Sequence, residues 1–345
     1  MAQRQGIAFS LILGLSTSEV NSVKDSLPQA DQNRSNAMPC LLCMSYEKRR
    51  LLKNQKGIAL VVTLLALVII TAMVVEFSYG VYTSTNNLYN WRDSQCLSLM
   101  ARSGVNVSAR FLSDILKRYT YSYPGSIELP VENPFEDFKG MILVNVQDES
   151  SKFNINSIVS PNGLLNEDAY NSFKRLLKIL SIDEKIADSV ADWIDPDSEA
   201  RISDSEVGAK NSGLLTVDEL MLIKGISRKD YDTLLPYITV YGDGLINING
   251  AEKPVLMCLS NDITDDIAQR VIDYRKITPF EEISQLQRVA GFNLTLYGPI
   301  SSRITVKGKV FYLKSSAVSG GLKRIIETVL DTSSLPSVIK YWKEY

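Results

Sequence analysis

The sequence predicts an α+β protein in which a long N-terminal helix packs on a small antiparallel sheet, with a large α-helical domain inserted into that sheet. Three observations predict this class. An uncharged apolar run is followed by apolar residues at three-and-four spacing, as in one continuous helix. Strand-like segments lie far apart in the chain. The block between them is rich in signals that start and stop helices.

Composition limits the kinds of chemistry that the chain can perform. It has 345 residues, of which 45% are hydrophobic, and a formal net charge of −2. It contains no histidine, so the commonest general base and the commonest metal ligand are absent. The near-balanced charge argues against a basic nucleic-acid-binding protein. We therefore expect a protein that is not an enzyme and that works by binding.

The apolar run covers residues 58–75 (IALVVTLLALVIITAMVV) and contains neither charge nor proline. Roughly 20 such residues cross a bilayer as a helix. Five basic residues precede the run, which favours a cytoplasmic N-terminus and export of the remainder. These residues are Lys48, Arg49, Arg50, Lys53 and Lys56. We expect residues 58–78 to be the transmembrane part of the helix in a single-pass protein, with the following domain periplasmic.

The run ends in EFSYGVY and not in a small-residue cleavage site, so cleavage after it is not expected. Instead, KGIALVVTLL resembles a type IV prepilin signal, which prepilin peptidase cuts between a glycine and an apolar helix. The cut would fall between Gly57 and Ile58, after a basic leader covering residues 44–57. Residues 1–43 are expected to be a non-functional or mis-started extension. A plain, uncleaved membrane anchor is the alternative.

The helix is expected to continue to about Arg118, because apolar positions recur from Leu97 to Leu116. A strand is predicted over residues 141–146, so residues 79–152 would hold the rest of the helix and this first strand. Two more strands are predicted over residues 303–313 and 322–330, separated by SSAVSGG as a turn. They would belong to a C-terminal segment, residues 302–345.

Residues 153–301 are predicted to form the inserted helical domain. Gly225 and Gly291 are positioned to end helices in the left-handed conformation. Capping-box spacing marks three helix starts: Ser181 with Glu184, Thr216 with Glu219, and Ser227 with Asp230.

Two segments of this block, TVDELMLIKGISRKDYDTLLPY and TPFEEISQLQRVAGFNLTLYGP, form a degenerate repeat. Each reads as short helix, glycine hairpin and short helix, and resembles the helix-hairpin-helix unit that offers backbone amides to DNA phosphate. Acidic residues outnumber basic ones around both hairpins, which favours a packing module. A membrane-tethered nucleic-acid receptor is the competing interpretation.

The stretch IADSVADWIDPDSEARISDSEVG has the spacing of a calcium-binding loop. Counting Asp195 as position one, Asp197, Glu199 and Glu206 fall at positions three, five and twelve, as in an EF-hand. Position six is Ala200 where an EF-hand has glycine. The stretch is interpreted either as a calcium site or as a solvated acidic loop.

The sequence does not decide the role of the four cysteines. Cys40 and Cys43 form a C-x-x-C pair without the second pair or the histidines that a zinc site needs. Cys96 and Cys258 could be paired or free.

Together these segments resemble the minor pseudopilin K family of the type II secretion system. The resemblance rests on KGIALVVTLL, VQDESSKFNINS, ADWIDPD, LLPYITVYGDGLININGAEKPVL, IAQRVIDYRKITPFEEISQL and the terminal YWKEY, and covers about residues 55–345. It implies a pseudopilin fold with an inserted helical domain that binds calcium. Relatives often carry an acidic residue after Gly208 and Ala209, where this chain has Lys210.

The resemblance also implies a function. Members are inner-membrane proteins that join the I-type and J-type minor pseudopilins at the tip of the pseudopilus. The inner-membrane secretion platform is a further partner. The fifth mature residue is glutamate in most pseudopilins and is Val62 here, which is consistent with a tip subunit that has no neighbour ahead of it. A minor pilin of a type IV pilus is the alternative within the same fold class.

Overall fold

The structure is a computed structural model, and it describes residues 55–122, 126–131, 139–203, 205–334 and 336–345. The predicted extension 1–43 and most of the predicted leader 44–57 lie outside these ranges. The chain divides into two compact units, Met1–Gly80 and Val81–Tyr345. The first described element, helix α1 (Gln55–Arg118), begins in the first unit and ends in the second. Its end at Arg118 confirms the predicted end.

Within the first unit, α1 presents its apolar side chains to the surroundings from Ile58 to Val75. A water-soluble helix would bury one face, so this all-round apolar surface is typical of a helix in lipid. Among the described residues, one helix is long and apolar enough to cross a membrane, and it is α1.

The described part of the second unit contains nine strands and six further α-helices. The strands are β1 (Ser126–Val131), β2 (Met141–Asp148), β3 (Phe153–Asn154), β4 (Ile238–Thr239), β5 (Ile246–Asn247), β6 (Ile304–Thr305), β7 (Val310–Ser319), β8 (Leu322–Asp331) and β9 (Val338–Glu344). The helices are α2 (Glu167–Ile179), α3 (Ile186–Ile194), α4 (Arg228–Leu234), α5 (Lys253–Cys258), α6 (Asp265–Ile277) and α7 (Leu294–Ile300).

Five strands form an antiparallel sheet in the order β1-β2-β7-β8-β9. Alternate residues of β2 are buried in one core with α1 residues such as Leu97 and Met100. Gly104 allows the helix to approach closely, because a Cβ there would lie 2.9 Å from Ile142 Cγ2 and 3.0 Å from Val144 Cγ2. The predicted fold, a long helix on a small antiparallel sheet with a helical insertion, is confirmed.

Two details of the sheet were predicted wrongly. The strand predicted over 303–313 begins at Val310, because Arg303 ends a 3₁₀ helix and β6 belongs to a different sheet. The turn predicted over SSAVSGG is only Gly320–Gly321, both with positive φ. The small residues before it lie in β7, where buried Ser315 and Ala317 leave room for α1. They therefore serve packing and not chain reversal.

The inserted region is an internal duplication. In its first half β3 pairs in parallel with β4, and in its second half β5 pairs in parallel with β6. The closing strands begin similar sequences, ITVYG at 238–242 and ITVKG at 304–308. We define the first half as residues 153–242 and the second half as residues 246–308.

One asparagine, half-buried in the first half and buried in the second, holds each half closed in the same way. In the first half, Asn156 donates to the carbonyls of Leu214 and Val240 at 2.9 Å and accepts from the Leu214 amide at 2.7 Å. In the second half, Asn249 donates to the carbonyls of Phe280 and Val306 at 2.8 and 3.1 Å and accepts from the Phe280 amide at 2.8 Å. The matching bonds confirm the duplication at the level of single atoms.

Each half contains one helix-hairpin repeat, as predicted. The first element of each repeat is a 3₁₀ helix, Val217–Leu222 or Ile283–Arg288, and the second is α4 or α7. Gly225 and Gly291 follow the 3₁₀ helices with φ of 93° and 91°, which confirms their predicted conformation.

Two of the three predicted helix caps are confirmed. The backbone amide of Thr216 donates to Glu219, and that of Ser227 donates to Asp230.

The third predicted cap is wrong, because Ser181 does not start a helix. Ser181 has φ of 59° and ends the turn after α2, where the Ile182 amide donates to the Leu177 carbonyl at 2.9 Å. Helix α3 starts later, after a turn in which Asp183 accepts from the Lys185 amide.

Both cysteines of the second unit are free. Cys258 is fully buried, and this burial raises the pKa of its thiol to about 12.

A candidate cation site in the acidic loop

The predicted calcium loop begins where α3 ends. Helix α3 is almost entirely buried, and the Asp195 amide makes its last helical hydrogen bond, 2.9 Å to the Ala191 carbonyl. The Asp195 side chain is 1% exposed, so the rigid end of a core helix holds a carboxylate inside the protein. Isolated buried carboxylates are costly unless charges or donors surround them.

Three of the four predicted ligands come together. One carboxylate oxygen each from Asp195, Asp197 and Glu206 lies within 4.8 Å of the other two. A calcium ion binds oxygens at 2.3–2.6 Å, so ligand oxygens around it are separated by up to about 5 Å. The fourth predicted ligand, Glu199, is exposed and outside this group, and its amide donates to Asp197 Oδ1 at 2.8 Å.

Two oxygens of this group are buried without a donor. They are Asp195 Oδ1 and Glu206 Oε1. Desolvation raises the pKa of both carboxyl groups, and each is raised further by the negative charges of its neighbours. A bound cation would satisfy both oxygens and reverse this effect, so the residues present fit a hard cation.

Arg201 occupies the other side of Asp195. Its Nη1 lies 2.5 Å from Asp195 Oδ2 and 2.5 Å from Asp192 Oδ1. Asp192, which is 0% exposed, also accepts from the Arg201 amide at 2.8 Å and from the Ser205 hydroxyl. Asp195 thus gives Oδ2 to the guanidinium and leaves Oδ1 buried without a donor.

The sequence analysis missed both Asp192 and Arg201. The available signal was the spacing of Asp192 and Asp195, which are three apart and therefore share a helix face. Counting EF-hand positions from Asp195 begins too late to include Asp192.

Lys210, the departure from the resemblance noted above, turns away from the site. Its Nζ lies 2.7 Å from Glu219 Oε2 and 3.1 Å from the Gly213 carbonyl. Glu219 caps the 3₁₀ helix of the first hairpin repeat. The lysine charge is thus neutralised by the hairpin and does not oppose a cation.

The donor set defines the chemistry of this site. It consists of carboxylate oxygens, with neither thiolate nor imidazole, and such oxygens suit calcium or magnesium better than zinc. Neither ion changes oxidation state, so the site would hold and order the loop.

The hairpin repeats contribute core packing to both halves. Leu220, Ile223 and Ile226 of the first repeat and Leu286, Val289 and Phe292 of the second are all buried. Basic groups beside them are engaged within the protein: Arg228 pairs with Asp232 at 3.0 Å, and Arg270 pairs with Asp266 at 2.5 Å. This arrangement favours the packing interpretation over nucleic-acid binding.

The predicted processing residues lie on α1. Gly57 and Ile58 are exposed near its start, and Val62 is 59% exposed on its apolar surface. Their exposure does not test the expected cleavage, which stays a prediction.

Two protein-family models match the chain, and both are described as type II secretion system (T2SS), protein K. They cover residues 151–243 and 246–307. These ranges nearly coincide with the two halves of the duplication.

Curated relatives carry the same description. A type II secretion system protein K from Pseudomonas aeruginosa is 25% identical over 311 residues, which are 81% of this chain and 89% of that protein. A second, from Aeromonas hydrophila, is 26% identical over 57% of this chain and 67% of its own length.

A solved structure shares the fold. One chain of the crystal structure of the GspK-GspI-GspJ complex from the enterotoxigenic Escherichia coli type 2 secretion system superposes with a TM-score of 0.61. It is 18% identical, and the match covers 75% of this chain and 99% of that chain.

Proposed function

Because the chain belongs to the type II secretion system protein K family, we propose that it is the minor pseudopilin that begins the pseudopilus at its tip. The observation that carries this proposal is a combination of two features. One helix, α1, has an apolar anchor segment and a later segment that packs on a pseudopilin sheet, and a duplicated helical region is inserted between β2 and β7 of that sheet. A plain membrane anchor or stalk would need neither the sheet nor the insertion.

The first step is storage in and release from the membrane. Helix α1 would hold the subunit in the inner membrane as a single-pass protein, with the N-terminus cytoplasmic and the second unit periplasmic. Prepilin peptidase would cut between Gly57 and Ile58, and the new N-terminus would be methylated. The helix could then move upward and pack against the helices of other subunits.

The second step is assembly. We expect the I-type and J-type minor pseudopilins as neighbours and the inner-membrane platform as the machine that drives assembly. The fifth mature residue, Val62, offers no carboxylate to the N-terminal amine of a subunit ahead of it. The subunit would therefore have neighbours only behind it, and its work would be geometric and not catalytic.

Calcium is the third part of the proposal. Asp195, Asp197 and Glu206 would hold one ion, which supplies positive charge to buried oxygens that lack donors. The end of α3 positions the carboxylate of Asp195, which is buried, whereas Asp197 is exposed and Glu206 is half-buried. The ion would order the exposed loop that carries Glu206.

Processing by the peptidase tests the proposal directly. The full chain is expressed with and without prepilin peptidase, and the N-terminal residue of the membrane form is determined by mass spectrometry. We expect a peptidase-dependent product that starts at Ile58. Gly57→Leu should block the cut, and Gly80→Ala, a glycine of the same helix, should leave it intact. An uncleaved wild-type chain would contradict the pseudopilin mechanism.

Partner capture separates the secretion system from a type IV pilus. The processed chain is co-expressed with I-type and J-type minor pseudopilins or with minor pilins, and complexes are isolated in detergent. We expect a stable complex with the pseudopilins alone. Retention by the minor pilins instead would assign the chain to a pilus.

A further inference from the structure

We propose that a cleft between the sheet and the inserted region binds a lysine or arginine side chain on an extended segment of a partner protein. This inference goes beyond the proposed function and does not depend on the cation site of the acidic loop. It rests on one carboxylate, Asp218, and on three tyrosines that line the cleft with it.

The cleft has a volume of about 800 Å³, which is in the range of natural ligand sites. Strands β7 and β8 turn one face to helix α1, where Leu313 and Leu330 are buried. Tyr312 of β7 lies on the opposite face, which forms one wall of the cleft. The inserted region forms the other wall with residues such as Asp218 and Tyr231. Ligands commonly bind where two structural parts of a protein meet.

Asp218 lies on the wall of the cleft without a basic partner. The residue is exposed, and its Oδ1 accepts a hydrogen bond from the Tyr231 hydroxyl at 2.5 Å. In the described part of the chain, no lysine or arginine forms an ion pair with it. Its negative charge is therefore available to a ligand.

Most other charged groups that line the cleft have a partner within the protein. They are Glu149 with Lys152 at 2.6 Å, Glu327 with Lys314 at 2.9 Å, and Lys343 over the ring of Tyr345 at 5.5 Å. Glu252 adds a second exposed carboxylate to the lining. The charge that the cleft offers to a ligand is thus negative, which favours a cationic occupant.

Three tyrosines of the cleft come from separate parts of the fold and lie within electrostatic reach of Asp218. They are Tyr231 of α4, Tyr241 after β4 and Tyr341 of β9. Burial raises the pKa of each tyrosine, and the charge of Asp218 raises each further. The face of a tyrosine ring attracts a cation, and a carboxylate accepts charge-assisted hydrogen bonds from it. The carboxylate and the rings together suit an organic cation.

The rest of the lining favours a protein segment over a metal ion or a small amine. A hard metal ion needs several oxygen ligands close together, whereas a lysine or arginine also has an apolar stem to bury. Val217, Leu235 and Pro236 supply apolar surface beside Asp218 for such a stem. The cleft is much larger than one ammonium group, so the residues on either side of the basic one would lie in it as well.

The second half of the duplication lacks this carboxylate. Asp218 stands seven residues before Gly225, and the residue seven before Gly291 is Ser284. The binding of a basic side chain is therefore assigned to the first hairpin repeat alone.

A pair of peptides tests the charge of the ligand. The full-length chain is purified in detergent and titrated with the acetylated, amidated pentapeptide Ala-Ala-Lys-Ala-Ala, and binding is measured by saturation-transfer NMR on the peptide signals. The same peptide with acetyllysine in place of lysine is the uncharged control, and butylamine is the control for a free amine.

Substitutions then separate the carboxylate from the rings. Asp218→Asn removes the charge and keeps the size of the side chain, and Asp262→Asn is the matched control, because Asp262 is exposed and outside the cleft. Tyr341→Phe keeps the ring and Tyr341→Leu removes it. Tyr341 lies on the edge strand β9, where a substitution disturbs the core least.

We expect the lysine peptide to bind more tightly than both the acetyllysine peptide and butylamine. Asp218→Asn should weaken its binding by about tenfold or more, the loss expected when a hydrogen bond to a charged group is removed. Tyr341→Leu should weaken it by about threefold, and Tyr341→Phe by less than about twofold, because the ring face and not the hydroxyl attracts the cation. Asp262→Asn should bind like the wild type.

Four results would overturn the inference. Equal binding of the lysine and acetyllysine peptides would show that the cleft does not select a cation. Butylamine that binds as tightly as the lysine peptide would replace the protein segment by a free amine. Unchanged affinity in Asp218→Asn would remove the carboxylate from the site, and equal losses in Tyr341→Phe and Tyr341→Leu would remove the ring. None of these results bears on processing at Gly57, which tests the proposed function separately.

Discussion

The two halves of the inserted region share a frame and differ in what they add to it. Both begin with a two-residue strand, contain one hairpin repeat and close with an I-T-V-x-G segment that is held by the side chain of an asparagine. Both have two α-helices before the hairpin, and the first half adds the acidic loop between its second helix and its hairpin. The second half adds a direct attachment to the sheet.

A pair of equivalent asparagines shows the difference. Asn154 of the first half donates to the carbonyls of Tyr241 and Gly242 at 3.2 and 3.0 Å, within its own half. Asn247 of the second half donates to Asp148 at 2.6 Å and to Ser122 at 2.8 Å, at the ends of β2 and of the segment after α1. The comparison teaches that two copies of one arrangement of strands and hairpin can serve different purposes, a candidate cation site in the first copy and an attachment to the sheet in the second.

The largest expected effect is a loss of stability when either closing asparagine is replaced, and it tests whether the two halves are held closed in the same way. Asn249→Ala would remove the partner of the Phe280 carbonyl and amide, whereas the Val306 carbonyl would still accept from the Ser122 amide. Asn156→Ala would remove the bonds to the Leu214 amide and to the Leu214 and Val240 carbonyls. At ~1–3 kcal/mol for each unsatisfied group, each variant should lower the free energy of unfolding by about 2 kcal/mol or more. Denaturant unfolding of the detergent-solubilised chain, followed by tryptophan fluorescence, measures this.

Asn162→Ala is the control for that pair, since exposed Asn162 bonds only the nearby Leu164 amide. A large loss from one asparagine and none from the other would break the equivalence of the two halves.

The second largest effect should come from calcium, which we expect to stabilise the first half and to change the second half little. At a free concentration 100 times the dissociation constant, a ligand specific to the folded state stabilises it by about 2.7 kcal/mol. Hydrogen exchange should slow mainly between Asp195 and Gly213, with little change in the second half. Equal protection of both halves, or none, would contradict a site confined to the acidic loop.

The pH dependence of stability should arise where the second half is attached to the sheet, at Asp148 of β2. Burial raises the pKa of Asp148 to about 6, against 3.8 ordinarily, although Asn247, Ser151 and the Ser150 amide stabilise its charge. The folded state therefore holds a proton that the unfolded state has lost. Stability from this group is full below about pH 4 and is lost as pH rises through 6, by up to about 1.4 kcal/mol per pH unit.

Unfolding of the wild type and Asp148→Asn between pH 4 and 7 measures that contribution as a difference. The variant should show a shallower decline than the wild type over this range. Parallel curves would mean that the carboxyl group ionises equally easily in both states.

The smallest expected effect compares the hairpins. Gly225→Ala and Gly291→Ala each place a Cβ on a residue with φ near 90°, and each should cost about 1 kcal/mol. Gly298→Ala, inside α7 with open space around it, should stabilise by up to about 1 kcal/mol. Thermal unfolding midpoints of the three variants give the comparison, and a Gly225→Ala or Gly291→Ala chain as stable as the wild type would contradict it.

Sequence reasoning succeeded where periodicity runs long or where one residue type has a specific backbone role. Helix α1 has enough turns for its spacing to be read, and Gly225 and Gly291 have the predicted left-handed conformation. Strands β1 and β9 were not predicted. Both lie at sheet edges, where one side of the strand is unpaired and the buried-exposed alternation is weak.

The rest of the site needed three-dimensional information. The two-residue strands β3 to β6 are too short for any period, so the hairpin repeat could be predicted from the sequence, whereas its extension to two complete halves depends on the strand pairing. Asp195, Asp197 and Glu206 follow a known spacing, whereas Arg201 matters through the two carboxylates that the fold brings near it. Sequence distance alone does not distinguish Arg201 from other loop residues.

The placement of the insertion also affects the order in which the sheet can form. Strand β2 is synthesised about 160 residues before its neighbour β7, and the Ser150 hydroxyl accepts from the Val310 amide across that separation. Closing a flexible loop of that length costs ~4 kcal/mol of chain entropy. If the insertion folds first, its own compactness brings the two ends together, so the helical region would act as an internal template for the sheet.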